Sequence, residues 1–363
     1  MSTENANSRP VCASLAGTGG LTMQRFLSAA AIAVFTLTAG AAVTAQSGDL
    51  KITWIDVEGG ASTLFVSPAG ESLLFDTGFP GNGDRDAKRI LAAARKAGLT
   101  KIDHVVISHW HGDHVGGLEA LSKMIPLGKF YDHGDGVEQV DKERHDQYVA
   151  IAGANRTILK AGDTIPLRGV QVRVLVSEGP VIANPVNGAE NIRMVALSIT
   201  YNNFKFASLA DSDWSREMDL ACPINKLGHV NLYTINRHGG LDNSGAPALL
   251  GAIRPQVIVL NNGPRKGLGQ KVEDLKIINA NYTPYETHSY LRLAKLPGFE
   301  GIWQLHKSLI DPDPAHNTAP DMIANLEENA GDAGNPITAT VAANGRFTIT
   351  NARTNFSRTY TAK

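Results

Sequence analysis

Hydrophobic and polar positions along the chain switch repeatedly between a period of two and a period near 3.6. Residues 51–57 (KITWIDV) alternate and are rich in β-branched types, which predicts a strand. Two short apolar runs, 63–66 and 72–75, flank Ser67-Pro68-Ala69-Gly70 and predict a hairpin. Residues 84–98 carry apolar positions at helical spacing and stop at Gly98, a good C-terminal cap. A short buried strand over 104–108 (HVVIS) and a helix over 116–124 follow. After a less regular middle a second round begins. It predicts strands at 170–176 and 194–201, a turn at Asn202-Asn203 into 204–209, a helix at 214–221, a strand at 230–235, a helix at 246–253 and a strand at 256–260.

Each round runs hairpin, Asp at a strand end (Asp76, Asp211), helix, buried strand, then His (His109, His238). This predicts two similar β-rich layers, each flanked by helices, with ligands at a shared edge. The expected class is α/β, a four-layer αββα sandwich over residues 46–310. A doubly wound parallel sheet is the competitor, and the hairpins argue against it. Beyond 310 the composition shifts. Asp311-Pro312-Asp313-Pro314 is a break and 327–336 is polar. Runs at 337–341 and 346–350 around Asn344-Gly345 predict a β-hairpin, so 311–363 is expected to be an extension whose strand pair docks on the main domain.

The N-terminus reads as targeting information. Residues 1–22 are polar and look like an over-extended start. Residues 23–45 pair a positive Met23-Gln24-Arg25 with an apolar run and end in Val43-Thr44-Ala45. That is a signal peptide cleaved after Ala45, so a secreted or periplasmic protein is expected, with no membrane association after cleavage. A hydrophobic fraction of 43% in 363 residues supports a packed core, and 34 Lys plus Arg against 35 Asp plus Glu gives no basic surplus, so no stable nucleic-acid partner is expected. The two cysteines, Cys12 and Cys222, lie on opposite sides of the cleavage point, which leaves the mature chain without an intramolecular disulfide.

The chemistry concentrates in Ser108-His109-Trp110-His111-Gly112-Asp113-His114-Val115-Gly116-Gly117. Four metal-ligand types fall within six residues directly after a buried strand, and imidazole with carboxylate suits Zn²⁺ and its neighbours. His109 and His111 stand two apart on extended backbone and can share one metal. Asp113 and His114 open the next helix and can serve a second.

This stretch resembles the HxHxDH signature of the metallo-β-lactamase-fold hydrolases, over roughly residues 51–303. It looks most like the branch that contains the hydrolase domain of the bacterial competence (DNA-uptake) channel. Residues 55–61, the Asp76-Thr77-Gly78 turn and Asn236-Arg237-His238-Gly239-Gly240 carry that likeness. The resemblance implies that His109 and His111 hold a first metal and that Asp113, His114 and His238 hold a second. It implies Asp211 as the bridging carboxylate and Asp76 as a hydrogen-bonding support of the ligand loop. Other branches place a third first-site histidine about 20 residues before the bridging Asp, where this chain has Asn187, Glu190 and Asn191. His133 is the candidate to fill that gap. The opening motif departs from the branch at Glu58 and Ala61, and Arg237 replaces a histidine.

The expected cofactor is Zn²⁺, two ions, with Mn²⁺ or another divalent metal in their place, and a single-metal enzyme is the variant. The expected activity is hydrolysis of an ester or phosphodiester bond by metal-activated water, with Asp113 or Asp211 passing the proton to the leaving group. Arg237 and the basic loop residues Arg265 and Lys266 are candidates for contacting a small-molecule or phosphodiester substrate. Lactonase and β-lactamase activity are alternatives on the same site. A non-catalytic metal- or ligand-binding protein is the alternative of another class.

Overall fold

The computed structural model describes residues 48–177, 189–240, 244–270, 288–311, 313–328 and 334–363. The expected over-extended start and signal peptide lie outside the described residues. Two sheets carry the fold. The first is built from β1 (Leu50–Trp54), β2 (Thr63–Val66), β3 (Ser72–Phe75), β4 (Ile102–Val106), β5 (Leu127–Asp132) and β6 (Arg156–Ile158). The second is built from β7 (Thr164–Ile165), β8 (Gln171–Val176), β9 (Ala196–Tyr201), β10 (Phe204–Ser208), β11 (Leu232–Thr234), β12 (Val257–Leu260), β13 (Gly301–His306) and β14 (Ile323–Asn325). The chain then returns to the first sheet with β15 (Ile337–Val341), β16 (Arg346–Asn351) and β17 (Ser357–Thr361). The orders are β17-β16-β15-β1-β2-β3-β4-β5-β6 and β14-β13-β12-β11-β10-β9-β8-β7.

Both sheets change character halfway across. Strands pair antiparallel from β17 to β3 and from β7 to β10, whereas β3–β6 and β10–β14 are parallel. Parallel neighbours need crossovers, and helices supply several of them. The helices are α1 (Arg85–Lys96), α2 (Gly112–Val115), α3 (Leu118–Ser122), α4 (Lys142–Ala152), α5 (Ala189–Arg193), α6 (Trp214–Ala221), α7 (Pro247–Ile253) and α8 (Ser289–Ala294). The burial follows from this layering. Strands covered on both faces, such as β3 and β12, are buried at every residue. The flanking β8 and β16 alternate.

Three apolar clusters define four layers. The central one joins the facing sides of both sheets, with Trp54, Phe65 and Val106 meeting Phe206, Leu232 and Trp303. The indole N–H of Trp54 donates to Thr234 Oγ1 at 2.8 Å across the sandwich, and Phe65 meets Phe206 edge-on at 5.2 Å. A second cluster seats α1, α3 and α4 on the first sheet through Ile90, Leu121 and Tyr148. A third seats α6, α7 and α8 on the second through Leu220, Leu250 and Leu293. The αββα sandwich read from the pattern is the fold observed.

The C-terminal extension differs from expectation. It contributes four strands rather than a pair: β14 adds to the edge of the second sheet beside β13, and β15–β17 continue the first sheet instead of docking on it, because β15 pairs antiparallel with β1 from Leu50↔Val341 to Trp54↔Ile337. The last strand, SRTYT, buries only Tyr360, so its hydrophobic pattern is too sparse to register.

Candidate metal centre

The loop after β4 and the loops after β10 and β11 meet at one edge of the sandwich. Asp76 shapes the first of them. It stands just past β3 in the left-handed region (φ 64) and is buried. Its Oδ1 accepts the Ser108 N–H at 2.7 Å, and its Oδ2 accepts the Ser108 hydroxyl at 2.8 Å. The same Oδ2 lies 2.8 Å from His114 Nδ1. That bond orients the imidazole so that Nε2 faces the cluster. Thr77 N and Oγ1 both donate to the His114 carbonyl, at 2.6 and 3.0 Å. Gly117 permits this stitching, since a Cβ there would stand 2.1 Å from the Thr77 carbonyl oxygen.

Asp113, His114, Asp211 and His238 are all buried, and their ligand atoms lie within 4.8 Å of one another. His114 Nε2 is 3.4 Å from Asp113 Oδ2 and 3.4 Å from Asp211 Oδ1, and His238 Nε2 is 3.3 Å from each of the same oxygens. Neither Nε2 has a hydrogen-bond partner. Bonds of about 2.0–2.1 Å to a tetrahedral Zn²⁺ would set neighbouring ligand atoms about 3.3–3.4 Å apart. The donor set, two imidazoles and two carboxylates with orphaned buried nitrogens, therefore fits a divalent cation.

His109 and His111 form a second, looser group. His109 Nε2 and His111 Nδ1 face each other at 3.0 Å, and His109 Nδ1 meets Ser108 Oγ at 3.0 Å. His109 is fully buried, whereas the His111 side chain is 31% exposed, which puts it at the mouth of the site. Its Nε2 stands 3.8 Å from Asp141 Oδ2.

The electrostatics are those of a compact ion cluster. Burial raises the Asp113 pKa, but His114 and Lys266 outweigh it and hold the carboxyl well below its ordinary range. Burial acts likewise on Asp211, where His238 and His114 prevail. Burial lowers His114, yet Asp113, Asp211 and Asp76 bring it well above the usual value. His109 is driven well below it by burial and by His114 and His111.

The second-sheet ligands stand on strained backbone. Ala210, next to Asp211, has φ 45, and Arg237 and His238 are consecutive left-handed residues at φ 46 and 56. Each such non-glycine residue costs about 1–2 kcal/mol. Gly267 lets the 261–267 loop close on His238, because a Cβ there would approach the His238 carbonyl oxygen to 2.1 Å. That loop also delivers Lys266, whose ammonium pairs with Asp113 Oδ2 and lies 5.1 Å from the centre of the Phe79 ring. Arg237 flanks the cluster, with its guanidinium 3.5 Å from the Asp211 carbonyl oxygen. Arg265 is turned outward onto Glu328 in an exposed ion pair.

His133 is a correction. Its Nε2 is committed to Glu190 Oε1 at 2.9 Å and does not join His109 and His111. Glu190, in the window examined for a third ligand, is fully buried and accepts the Trp110 N–H at 2.8 Å, bracing the ligand loop from behind. Asn187 lies outside the described residues. Two supports escaped sequence reasoning. His145 is buried edge-on against Trp110 at 4.8 Å. His306 meets Asp56 Oδ1 at 2.7 Å in a buried network where Arg89 NH1 donates to Asp56 Oδ2 at 2.8 Å. Asp56 lies beside the loop whose Ala61 N–H donates to the Asp113 carbonyl at 3.0 Å.

Two helix-covered sheets thus gather histidines and aspartates at one edge, in a set that could hold a metal ion. Residues 55–200 match the model of the metallo-beta-lactamase superfamily, the family that the 108–117 motif resembles. Recombination protein 2 of Haemophilus influenzae is 26% identical over 219 residues, 59% of this chain and 25% of that protein. Atrochrysone carboxyl ACP thioesterase of Emericella nidulans is 35% identical over 82 residues, 22% of this chain and 26% of the relative. The chain thus spans about a quarter of the length of these curated relatives. Among solved structures, the metallo-beta-lactamase fold protein YhfI from Bacillus subtilis aligns over 64% of this chain and 94% of its own, at 16% identity and a TM-score of 0.42.

Proposed function

We propose that the chain is an exported, metal-dependent hydrolase of an ester or phosphodiester bond. One observation carries the reading: two buried imidazole Nε2 atoms without hydrogen-bond partners, each 3.3–3.4 Å from the same two carboxylate oxygens. Asp113, His114, Asp211 and His238 would hold one divalent cation, and His109 and His111 would hold a second more weakly. Cations bound there supply Lewis acidity and a water whose pKa falls to about 7. Asp76 keeps His114 in the tautomer that presents Nε2. Asp113 or Asp211 carries the proton toward the leaving group. Lys266, held beside Asp113 and over Phe79, faces an anionic substrate oxygen, and Arg237 lines the same edge. The thioesterase name among the relatives supports a carbonyl substrate.

Chelation is expected to abolish turnover, and added Zn²⁺ or Mn²⁺ to restore it. A chromogenic phosphodiester, a thioester, a lactone with pH readout and a chromogenic cephalosporin separate the substrate classes. Full turnover in a rigorously metal-free sample defeats the proposal, and less than one bound equivalent with no substrate turned over favours a binding protein. Export rests on residues 23–45. It predicts a mature N-terminus at Gln46 in the periplasmic or secreted fraction, with no membrane association and no stably bound nucleic acid.

A further inference from the structure

Glu217 is a fully buried carboxylate on α6, six residues past Asp211, that takes no part in holding metal. Its Oε1 accepts Asn236 Nδ2 at 2.5 Å and the Gly245 N–H at 2.9 Å, and its Oε2 accepts the Ala246 N–H. Asn236 precedes the left-handed pair Arg237-His238. Its Oδ1 accepts the Tyr233 hydroxyl, and its Nδ2 also lies 3.5 Å from the Ser212 carbonyl oxygen. One side chain therefore joins the helix that follows Asp211, the end of β11, the turn carrying His238 and the entry to α7. Two consecutive non-glycine residues in the left-handed region keep that shape only where their surroundings over-determine it. Here Asn236, and through it Glu217, is one of those surroundings, beside the Arg237 N–H bond to the Ala210 carbonyl and the 261–267 loop against His238.

We propose that Glu217 is a positioning residue for the metal centre, acting through Asn236 to hold His238 and Asp211 at ligating distance. The inference rests on the metal-centre reading above. A Glu217 that merely caps the entry to α7 would affect stability alone. A positioning role reaches the metal, because the Glu217–Asn236 bond ends two residues from a ligand.

The test compares the wild-type mature chain with Glu217→Gln and Asn236→Ser. Zn²⁺ affinity is measured by competition with a chromogenic chelator, the visible spectrum is recorded after Co²⁺ loading, and apo-protein melting is followed. Asn236→Ser leaves Glu217 on the Gly245 and Ala246 N–H groups, so the capping function survives while the amide's bonds to Glu217, the Tyr233 hydroxyl and the Ser212 carbonyl are cut. Both variants are expected to bind the tighter Zn²⁺ about 10–100-fold more weakly and to show an altered Co²⁺ band. Apo melting separates lost stability from lost ligation, because a merely structural role lowers the melting temperature without moving the Co²⁺ band or the Zn²⁺ affinity of the folded protein. If Glu217→Gln fails to fold, Asn236→Ser decides. Wild-type affinity and an unchanged Co²⁺ band in Asn236→Ser overturn the positioning role while leaving the metal centre intact. If wild type binds neither Zn²⁺ nor Co²⁺, the metal-centre reading and this inference fall together.

Discussion

The first sheet presents its ligands from one unbroken loop, His109 to His114, whereas the second presents Asp211 and His238 from two separate strand ends. The first loop is shaped by hydrogen bonds from Asp76 and by glycines that let chains approach. The second-sheet turns are shaped by strained backbone held under a buried carboxylate. The pairs of ligands differ in the same spirit. Asp113, His114, Asp211 and His238 draw on both sheets and form a closed, buried cage. His109 and His111 come from one loop and open to solvent at His111. Contributions from both halves make the tighter site, so occupancy there reports whether the two halves have docked correctly.

The sharpest way to break this contrast is His238→Ala. Losing a cage ligand is expected to remove the tight metal and lower turnover about a thousand-fold, several kcal/mol at roughly 1.4 kcal/mol per tenfold. Metal counting by elemental analysis beside a turnover assay checks it. Retained metal with near-normal turnover would place the essential cation elsewhere.

Stability against pH probes the supports beneath each half, because two buried carboxylates carry opposite signs. Asp56 is pushed up by burial but brought below its ordinary 3.8 by His306 and Arg89. Its contribution is present above 3.8 and lost as pH falls through the depressed value. Asp56→Asn should therefore destabilise by about 3 kcal/mol near pH 7, with the deficit closing in acid. Burial raises Glu217 from 4.5 to about 8, against the donors at Ala246 and Gly245. The folded state then holds a proton that the unfolded state releases, so wild type should lose stability relative to Glu217→Gln as pH rises from 4.5 to 8. Urea unfolding at several pH values reads both slopes, and equal slopes for the two variants contradict the assignment.

His111→Ala is a milder probe. It should leave about one metal equivalent in the cage and weaken the outer ion about 10–100-fold, close to the effect of a supporting residue. Loss of all metal in that variant would erase the distinction between the sites. At the small end, Arg265→Ala removes an exposed ion pair with Glu328 and should change stability by less than about 1 kcal/mol. Turnover should be unchanged, in contrast to Lys266→Ala, which should raise KM for an anionic substrate about tenfold.

Much of this arrangement is legible in the amino-acid order because periodicity and local motifs are local properties. Hairpins at Ser67–Gly70 and Asn202-Asn203, the buried strand before His109 and the layered class follow from spacing alone. The supports do not. Glu190, Asp56 with His306, and Glu217 act through contacts 80, 250 and 19 residues apart, and nothing in a linear pattern announces such pairs. β5 and α4 were also lost in the irregular middle. LGKFYD begins half-exposed with a glycine and a lysine, and α4 exposes polar residues around most of its circumference while burying His145 and Tyr148. His133 misled for a related reason: a histidine beside a strand end is a plausible ligand until a buried glutamate claims its Nε2.

The seam between β1 and β15 joins the two ends of the described chain. The earliest described strand is flanked on one side by its sequence neighbour β2 and on the other by a strand from the last tenth of the polypeptide. So distant a pairing forms late and slowly, and until it does β1 presents a naked edge that can zip onto other chains. Clipping the tail ahead of Ile337 would leave that edge permanently open, which makes shortened forms of this protein candidates for aggregation even with every ligand in place.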